Sequence, residues 1–270
     1  MPLVVMLHGC TQDPDDFAAG TRMNALSDKH ACVVVYPAQR SSANPAKCWN
    51  WFRADNQRRD QGEPAIIAGI TREVIRAHRI DERQVFVAGL SAGASMSVVM
   101  AATYPELYAA VGAHSGLPYR SAQNILSAFT VMRNGASDLQ GLGTLGLPII
   151  VFHGDHDQTV NPCNSEQIIS QWLGSRQESV QSSAGAPETG ESNGRAYVRT
   201  EYHDAGGRVF AEHWVIKNLG HAWSGGSPKG SYTDSTGPDA SQEMLRFFLG
   251  RGGARRPGIL DRLIRSLKAR

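Results

Sequence analysis

The sequence predicts an α/β protein with a mostly parallel central sheet flanked by helices, and three observations carry that reading. Short apolar runs alternate along the chain with segments of helical periodicity. The runs are continuously apolar rather than alternating, as strands buried on both faces must be. One run passes through Gly89-Leu90-Ser91-Ala92-Gly93 directly into a helical segment, the setting in which G-x-S-x-G marks a sharp, strained turn.

Leu3–Leu7 reads as the first strand, followed by the turn-rich His8-Gly9-Cys10-Thr11-Gln12-Asp13-Pro14. Ala18–Lys29 carries Met23 and Leu26 at helical spacing and reads as a helix. Cys32–Tyr36 is a second buried strand, closed by Pro37. Ala38–Gln61 is expected to be irregular and includes Cys48-Trp49-Asn50-Trp51-Phe52. From Pro64 to His78, the residues Ile66, Ile67, Ile70, Val74 and Ile75 form one apolar helical face. Gln84–Leu90 is the third strand, and Ala92–Thr103 a small-residue helix stopped before Pro105. Ala109–His114 and Pro148–His153 complete the buried strands. Ser175–Arg195 is rich in Ser, Gly, Glu and Gln, the composition of a surface loop. Tyr197–His203 and Val209–Ile216, joined through Gly206-Gly207, are expected as a hairpin or two edge strands. Asp239–Leu249 is the last helix.

Composition excludes several classes. Lys+Arg 27 against Asp+Glu 25 gives a net charge of +2, without the basic excess of a dedicated nucleic-acid binder. Hydrophobic residues at 41% and charged residues at 19% exclude a disordered chain. The apolar runs are too short to cross a bilayer as helices. The charge is uneven: seven cations and one acid lie in 251–270, so residues 1–250 carry −4 and the tail +6.

Residues 1–250 are expected to form one domain and 251–270 a basic amphipathic tail. In that tail Ile259, Leu260, Leu263, Ile264 and Leu267 share a helical face, with Arg262, Arg265 and Lys268 off it. Docking of this face onto the domain is the first expectation, and contact with an anionic membrane or granule surface the second. No signal peptide is visible, and Met1-Pro2 runs straight into a strand. That abrupt start leads us to expect missing upstream sequence.

Ser91 is the candidate nucleophile, lifted above the sheet at a helix N-terminus; the competing reading is a plain N-cap. In this architecture the acid and then the base follow the serine in chain order. Asp155 and Asp157 compete after the strand 148–153. Asp157 has the better reach and is preferred, with Asp155 assigned to organising the loop. His221, in a loop beyond Val209–Ile216, is the expected base, whereas His203 and His213 fall inside the hairpin. His153, His156 and the two aspartates cannot all turn inward from one tight turn, so no metal site is expected. The scattered Cys10, Cys32, Cys48 and Cys163 offer no C-x-x-C pair. The N–H groups of Cys10 and Ala92 are the expected oxyanion donors, with His8 supporting the loop.

Leu7-His8-Gly9-Cys10-Thr11-Gln12, Cys48-Trp49-Asn50-Trp51-Phe52, the serine elbow, His114-Ser115-Gly116, Gly154-Asp155-His156-Asp157 and Gly220-His221-Ala222-Trp223-Ser224-Gly225-Gly226 form a set. Together they resemble the poly(3-hydroxybutyrate) depolymerase family of esterases, relatives of feruloyl and acetylxylan esterases. The resemblance implies an α/β-hydrolase fold, no cofactor, and cleavage of carboxylic esters through an acyl-enzyme. It places Ser91, Asp157 and His221 in the nucleophile, acid and base roles, and it favours a secreted or periplasmic location. Three departures stand out: the usual N-terminal strands are lacking, Ala94 replaces a second glycine after the elbow, and the basic segment after Leu249 has no counterpart.

Trp49 and Trp51, on one side of an extended segment by their spacing, and Trp223, two residues from His221, are the expected substrate-binding aromatics. Core packing is the alternative for each. A Cys10–Cys48 bridge would pin the aromatic segment against the oxyanion loop. The expected function is a serine hydrolase of polyester or oligoester bonds. Feruloyl, acetylxylan or short-chain esterase activity is the first alternative, and a catalytically idle binding scaffold the second.

Overall fold

The computed structural model describes residues 1–139, 147–174 and 183–250. β1 (Leu3–Leu7) is buried throughout and pairs in parallel with β2 (Val33–Val35) and β3 (Val85–Leu90). β4 (Ala110–His114) and β5 (Ile149–Gly154) extend the parallel sheet. β6 (Ser183–Ala184), β7 (Glu188–Ser192), β8 (Arg195–His203) and β9 (Val209–Ile216) follow. The sheet order is β2-β1-β3-β4-β5-β9-β8-β6, with β7 also on β8. β9 runs parallel to β5 and antiparallel to β8. The expected hairpin therefore forms, and its second strand is interior. This is an α/β-hydrolase-type mixed sheet.

Side chains on β1 alternate between two apolar layers. Leu3, Val5 and Leu7 join one with Trp49, Trp51 and Ile67, while Val4 and Met6 join the other with Phe17, Trp223 and Phe248. Burial on both faces is why these strands read as continuous apolar runs. The helices that cover the faces are α1 (Pro14–Thr21), α2 (Met23–His30), α3 (Gly62–Ala77), α4 (Ala92–Thr103), α5 (Ile125–Asn134), α6 (Cys163–Gly174) and α7 (Ala240–Leu249).

Two expectations need correction. The helix expected over Ala18–Lys29 is two helices, and it begins earlier, where Asp13 caps α1 by accepting from Asp16 N. Arg22 takes a left-handed conformation (φ 56°) between them. Its guanidinium donates to the Gly225 carbonyl at 2.6 Å and to Asp239 at 2.7 Å. The stretch expected as a loop over Ser175–Arg195 holds β6 and β7, paired with β8; residues 175–182 lie outside the described residues. Sequence reasoning missed α5 and α6. In α6 the polar Asn164, Ser165 and Gln171 are buried, and in α5 Ile125, Leu126 and Phe129 are exposed. Both patterns blur the apolar stripe that marks a helix. The tail 251–270 also lies outside the described residues.

The strand–turn–helix at Ser91 positions the site, and two glycines make it possible. A Cβ on Gly93 would overlap the Leu7 carbonyl oxygen and lie 2.5 Å from that of His8. One on Gly89 would lie 2.5 Å from the Gly93 oxygen. These are backbone obstacles, so neither neighbour can step aside as a flexible side chain would. Gly93→Ala should therefore lower stability by about 3 kcal/mol, the upper range for overpacking a tight contact. Chemical denaturation would read it, and an unchanged midpoint would show that α4 can move off β1.

Candidate active site

Ser91 sits between β3 and α4 with φ 56° and ψ −118°, a strained region for a residue with a Cβ. Its N–H donates to the His114 carbonyl at 2.9 Å. Its side chain caps no helical N–H, so the hydroxyl lacks the bond that a plain N-cap would make. An ideal Cβ on Gly9 would lie 3.7 Å from Ser91 Cβ, which sets the serine against the loop after β1.

In that loop most N–H groups are taken. Gly9 N donates to Gln12 Oε1 at 2.9 Å, Thr11 N to the Ala46 carbonyl at 2.6 Å, and Gln12 N to the Gly9 carbonyl at 3.4 Å. Among the described residues, nothing accepts from Cys10 N or Ala92 N. His8 is buried; its Nε2 accepts from Gln39 N at 3.1 Å, so Nδ1 carries the proton given to the Gly9 carbonyl at 2.8 Å. That carbonyl belongs to the peptide whose N–H is on Cys10. Burial lowers the His8 pKa and keeps the ring neutral.

Asp157 follows β5 with a buried carboxylate. One oxygen accepts from Thr159 N and Val160 N at 2.9 Å each. The other accepts from His221 Nδ1 at 2.7 Å and lies 3.3 Å from His153 Nε2. Burial alone would raise this carboxyl, but hydrogen bonds from His153 and His221 outweigh it and hold the pKa well below the carboxylate range. Asp155 does something else: it accepts from Asn218 N at 2.6 Å and pairs with Lys217 at 3.2 Å. It therefore clasps the turn that leads to His221. The same turn packs on Gly154, where a Cβ would overlap the Leu219 carbonyl.

Two further histidines, His153 and His114, escaped sequence reasoning as supports of the site. His153 Nε2 donates to the Val160 carbonyl at 2.8 Å beside Asp157, and the i,i+4 spacing of His153 and Asp157 was its available signal. His114 Nε2 accepts from Ser224 N at 3.1 Å and so ties the loop beyond His221 to β4. Tyr232 was also missed. Its ring meets His221 edge-on at 6.4 Å, and no motif pointed to it.

The three tryptophans are corrected. Trp49, Trp51 and Trp223 are 3%, 5% and 0% exposed, and they pack in the two core layers rather than facing a substrate. Trp223 lies between Phe17 and His114 and donates to Ser241 Oγ at 3.1 Å. Trp49 packs against His8 at 5.7 Å. Cys10 and Cys48 are joined by a disulfide, leaving Cys32 and Cys163 free.

The family model described as esterase PHB depolymerase matches residues 1–197. Poly(3-hydroxyalkanoate) depolymerase C of Paucimonas lemoignei is 36% identical over 232 residues, covering 82% of this chain and 54% of the relative. Probable acetylxylan esterase A of Aspergillus fumigatus is 30% identical over 190 residues, 64% of this chain and 50% of the relative. The chain thus spans about half the length of these curated relatives. Among solved structures, acetyl xylan esterase from Aspergillus awamori superposes with a TM-score of 0.65 at 21% identity, covering 93% and 89% of the two chains. That likeness is one of fold.

Two measurements follow from this geometry. Burial drives His114 down to about 3 and His213 to about 4. The unfolded chain takes up protons near its ordinary 6.5, while the native state refuses them until far lower pH. Stability should therefore fall as pH drops from 6.5 toward 4, each histidine adding up to about 1.4 kcal/mol per pH unit. Equal denaturant midpoints at pH 7 and pH 5 would contradict it. Separately, thiol titration of the unfolded, unreduced protein should find Cys32 and Cys163 alone; four reactive thiols would remove the Cys10–Cys48 bridge.

Proposed function

Because the chain belongs to the esterase PHB depolymerase family, we propose that it is a serine carboxylester hydrolase acting on poly(3-hydroxybutyrate) or its oligomers. The observation that carries this reading is the 2.7 Å bond between His221 Nδ1 and Asp157. A carboxylate can only accept there, so Nδ1 holds the proton and Nε2 keeps the lone pair a base needs. Ser91 Oγ attacks the ester carbonyl carbon while His221 Nε2 takes its proton. The tetrahedral oxyanion accepts from Cys10 N and Ala92 N, neither of which has an acceptor of its own among the described residues. Collapse breaks the ester C–O bond, and imidazolium His221 returns the proton to the departing alkoxide. Water, deprotonated by His221, then attacks the acyl carbon; the acyl C–Oγ bond breaks, the acid leaves, and His221 returns the proton to Ser91 Oγ.

The environment suits this cycle. Asp157 stays ionised because His221, Thr159 and Val160 all donate to it, with His153 Nε2 3.3 Å away, so it stabilises the imidazolium without competing for the proton. The bond from His8 Nδ1 to the Gly9 carbonyl polarises the peptide whose N–H is on Cys10. The Cys10–Cys48 disulfide favours an oxidising compartment, hence secretion or a periplasmic location. Acetylxylan esterase activity is the second reading, favoured by the relatives of that name.

Hydrolysis of p-nitrophenyl butyrate tests the proposal. Ser91→Ala and Asp157→Asn should each lower kcat by roughly 10⁴-fold. Equal rates in wild type and Ser91→Ala would leave only a binding scaffold. Clearing of a poly(3-hydroxybutyrate) suspension, against acetate release from acetylated xylan, separates the two substrate readings.

A further inference from the structure

With Trp49, Trp51 and Trp223 buried, the aromatic surface expected beside the base has to come from elsewhere. The described residues expose two aromatic side chains, Phe129 at 52% and Tyr232 at 46%. Phe129 lies on α5, whereas Tyr232 meets the His221 ring edge-on at 6.4 Å. At its other end the Tyr232 hydroxyl lies 3.1 Å from Thr11 Oγ1, and Thr11 Oγ1 donates to the Cys10 carbonyl at 2.6 Å. Thr11's proton is thereby used, so Tyr232 donates. One exposed ring thus spans from the proposed base to the residue next to the proposed oxyanion donor.

The backbone holds Tyr232 there at a cost. Its φ is +50°, a conformation a bulky residue adopts only when its surroundings over-determine it. Here they do. The Tyr232 carbonyl accepts from Trp223 N at 2.8 Å, within the short pairing of β10 (Trp223–Ser224) with β11 (Thr233–Asp234). Ser231 donates through N and Oγ to Asp16 at 2.9 and 2.6 Å, and Gln12 Nε2 donates to Asp16 and to the Ser231 carbonyl. Gln12 is the residue that also accepts from Gly9 N. The segment bearing Tyr232 is therefore locked onto the oxyanion loop itself. A half-exposed ring gains little packing from this arrangement, and one exposed hydrogen bond contributes little.

We infer that Tyr232 is a specificity-determining residue whose ring forms one wall of the substrate cleft, packing against the aliphatic chain that flanks the scissile ester. The inference rests on the esterase reading for the identity of the ligand, and its test does not require turnover. Binding of a linear 3-hydroxybutyrate trimer is measured calorimetrically on Ser91→Ala protein carrying Tyr232, Tyr232→Phe or Tyr232→Leu. Ring contacts of this kind make the Leu variant about tenfold weaker and leave the Phe variant within about twofold of the parent. Equal affinity in all three overturns the inference, as does no detectable binding to the parent. A Phe variant as weak as the Leu variant also overturns it, because the Thr11 bond would then matter and the ring would not. The Phe variant removes only the hydroxyl, so it serves as the folding control, with near-UV circular dichroism checking the Leu variant. Should wild type show no Ser91-dependent hydrolysis while the trimer affinities follow the expected order, the hydrolase reading fails and the Tyr232 wall stands.

Discussion

The first turn of α4 rides directly on the backbone at the end of β1, close enough that the Leu7 and His8 carbonyls leave no room for a Cβ on Gly93. That approach decides where everything else stands. It brings the helix N-terminus and the loop after β1 together, so that N–H groups from two distant parts of the chain share one region. It also forces Ser91 into its strained conformation, because the chain must turn from strand to helix without moving away from β1. Parallel pairing of β3 with both β1 and β4 holds the turn from either side. A looser elbow would leave the same residues in the chain and separate the groups.

Around this contact, the polar groups of the site are arranged so that each tautomer and charge has a local cause. Gln39 N fixes His8 with its proton on Nδ1. Ser224 N fixes His114 as an acceptor on Nε2, and burial keeps that ring neutral. Asp157 fixes His221. The carboxylate, in turn, remains charged in a buried position because three donors and the His153 ring surround it. In a low-dielectric setting such a group is costly when unpaired and strongly orienting when satisfied. Loss of one donor from Asp157 therefore affects His221 as well.

How much of this was legible in the sequence depends on what kind of signal each feature leaves. The parallel strands are legible because burial on both faces makes every position apolar. The elbow is legible because steric exclusion at Gly89 and Gly93 leaves a fixed spelling. The choice between Asp155 and Asp157 rested on reach, and the structure sets Asp157 against His221 while Asp155 holds the Asn218 turn. Features that depend on distant partners left no trace. Arg22 splits a helix because Gly225 and Asp239 accept its guanidinium, and neither is near it in the chain. The segment bearing Tyr232 is locked to the loop after β1 through Asp16 and Gln12, more than two hundred residues away. β7 is polar and largely exposed and β6 is two residues long, so their pairing with β8 is invisible to a hydrophobic pattern.

The misplaced tryptophans show what the Cys48–Phe52 segment does instead. Glu63 is buried and accepts from Asn50 N at 2.7 Å, from Asn50 Nδ2 at 2.6 Å and from Gln39 Nε2 at 2.6 Å. Burial raises its pKa against those bonds. Gln39 Nε2 also donates to the Cys48 carbonyl, and Gln39 N to His8. With the Cys10–Cys48 bridge and the packing of Trp49 on His8, the segment forms a backing to the loop after β1. Its tryptophans pack in the core behind that loop, Trp49 directly on His8. A wall on the solvent side must then come from a different element, and the loop locked to Gln12 and Asp16 is the one placed to supply it.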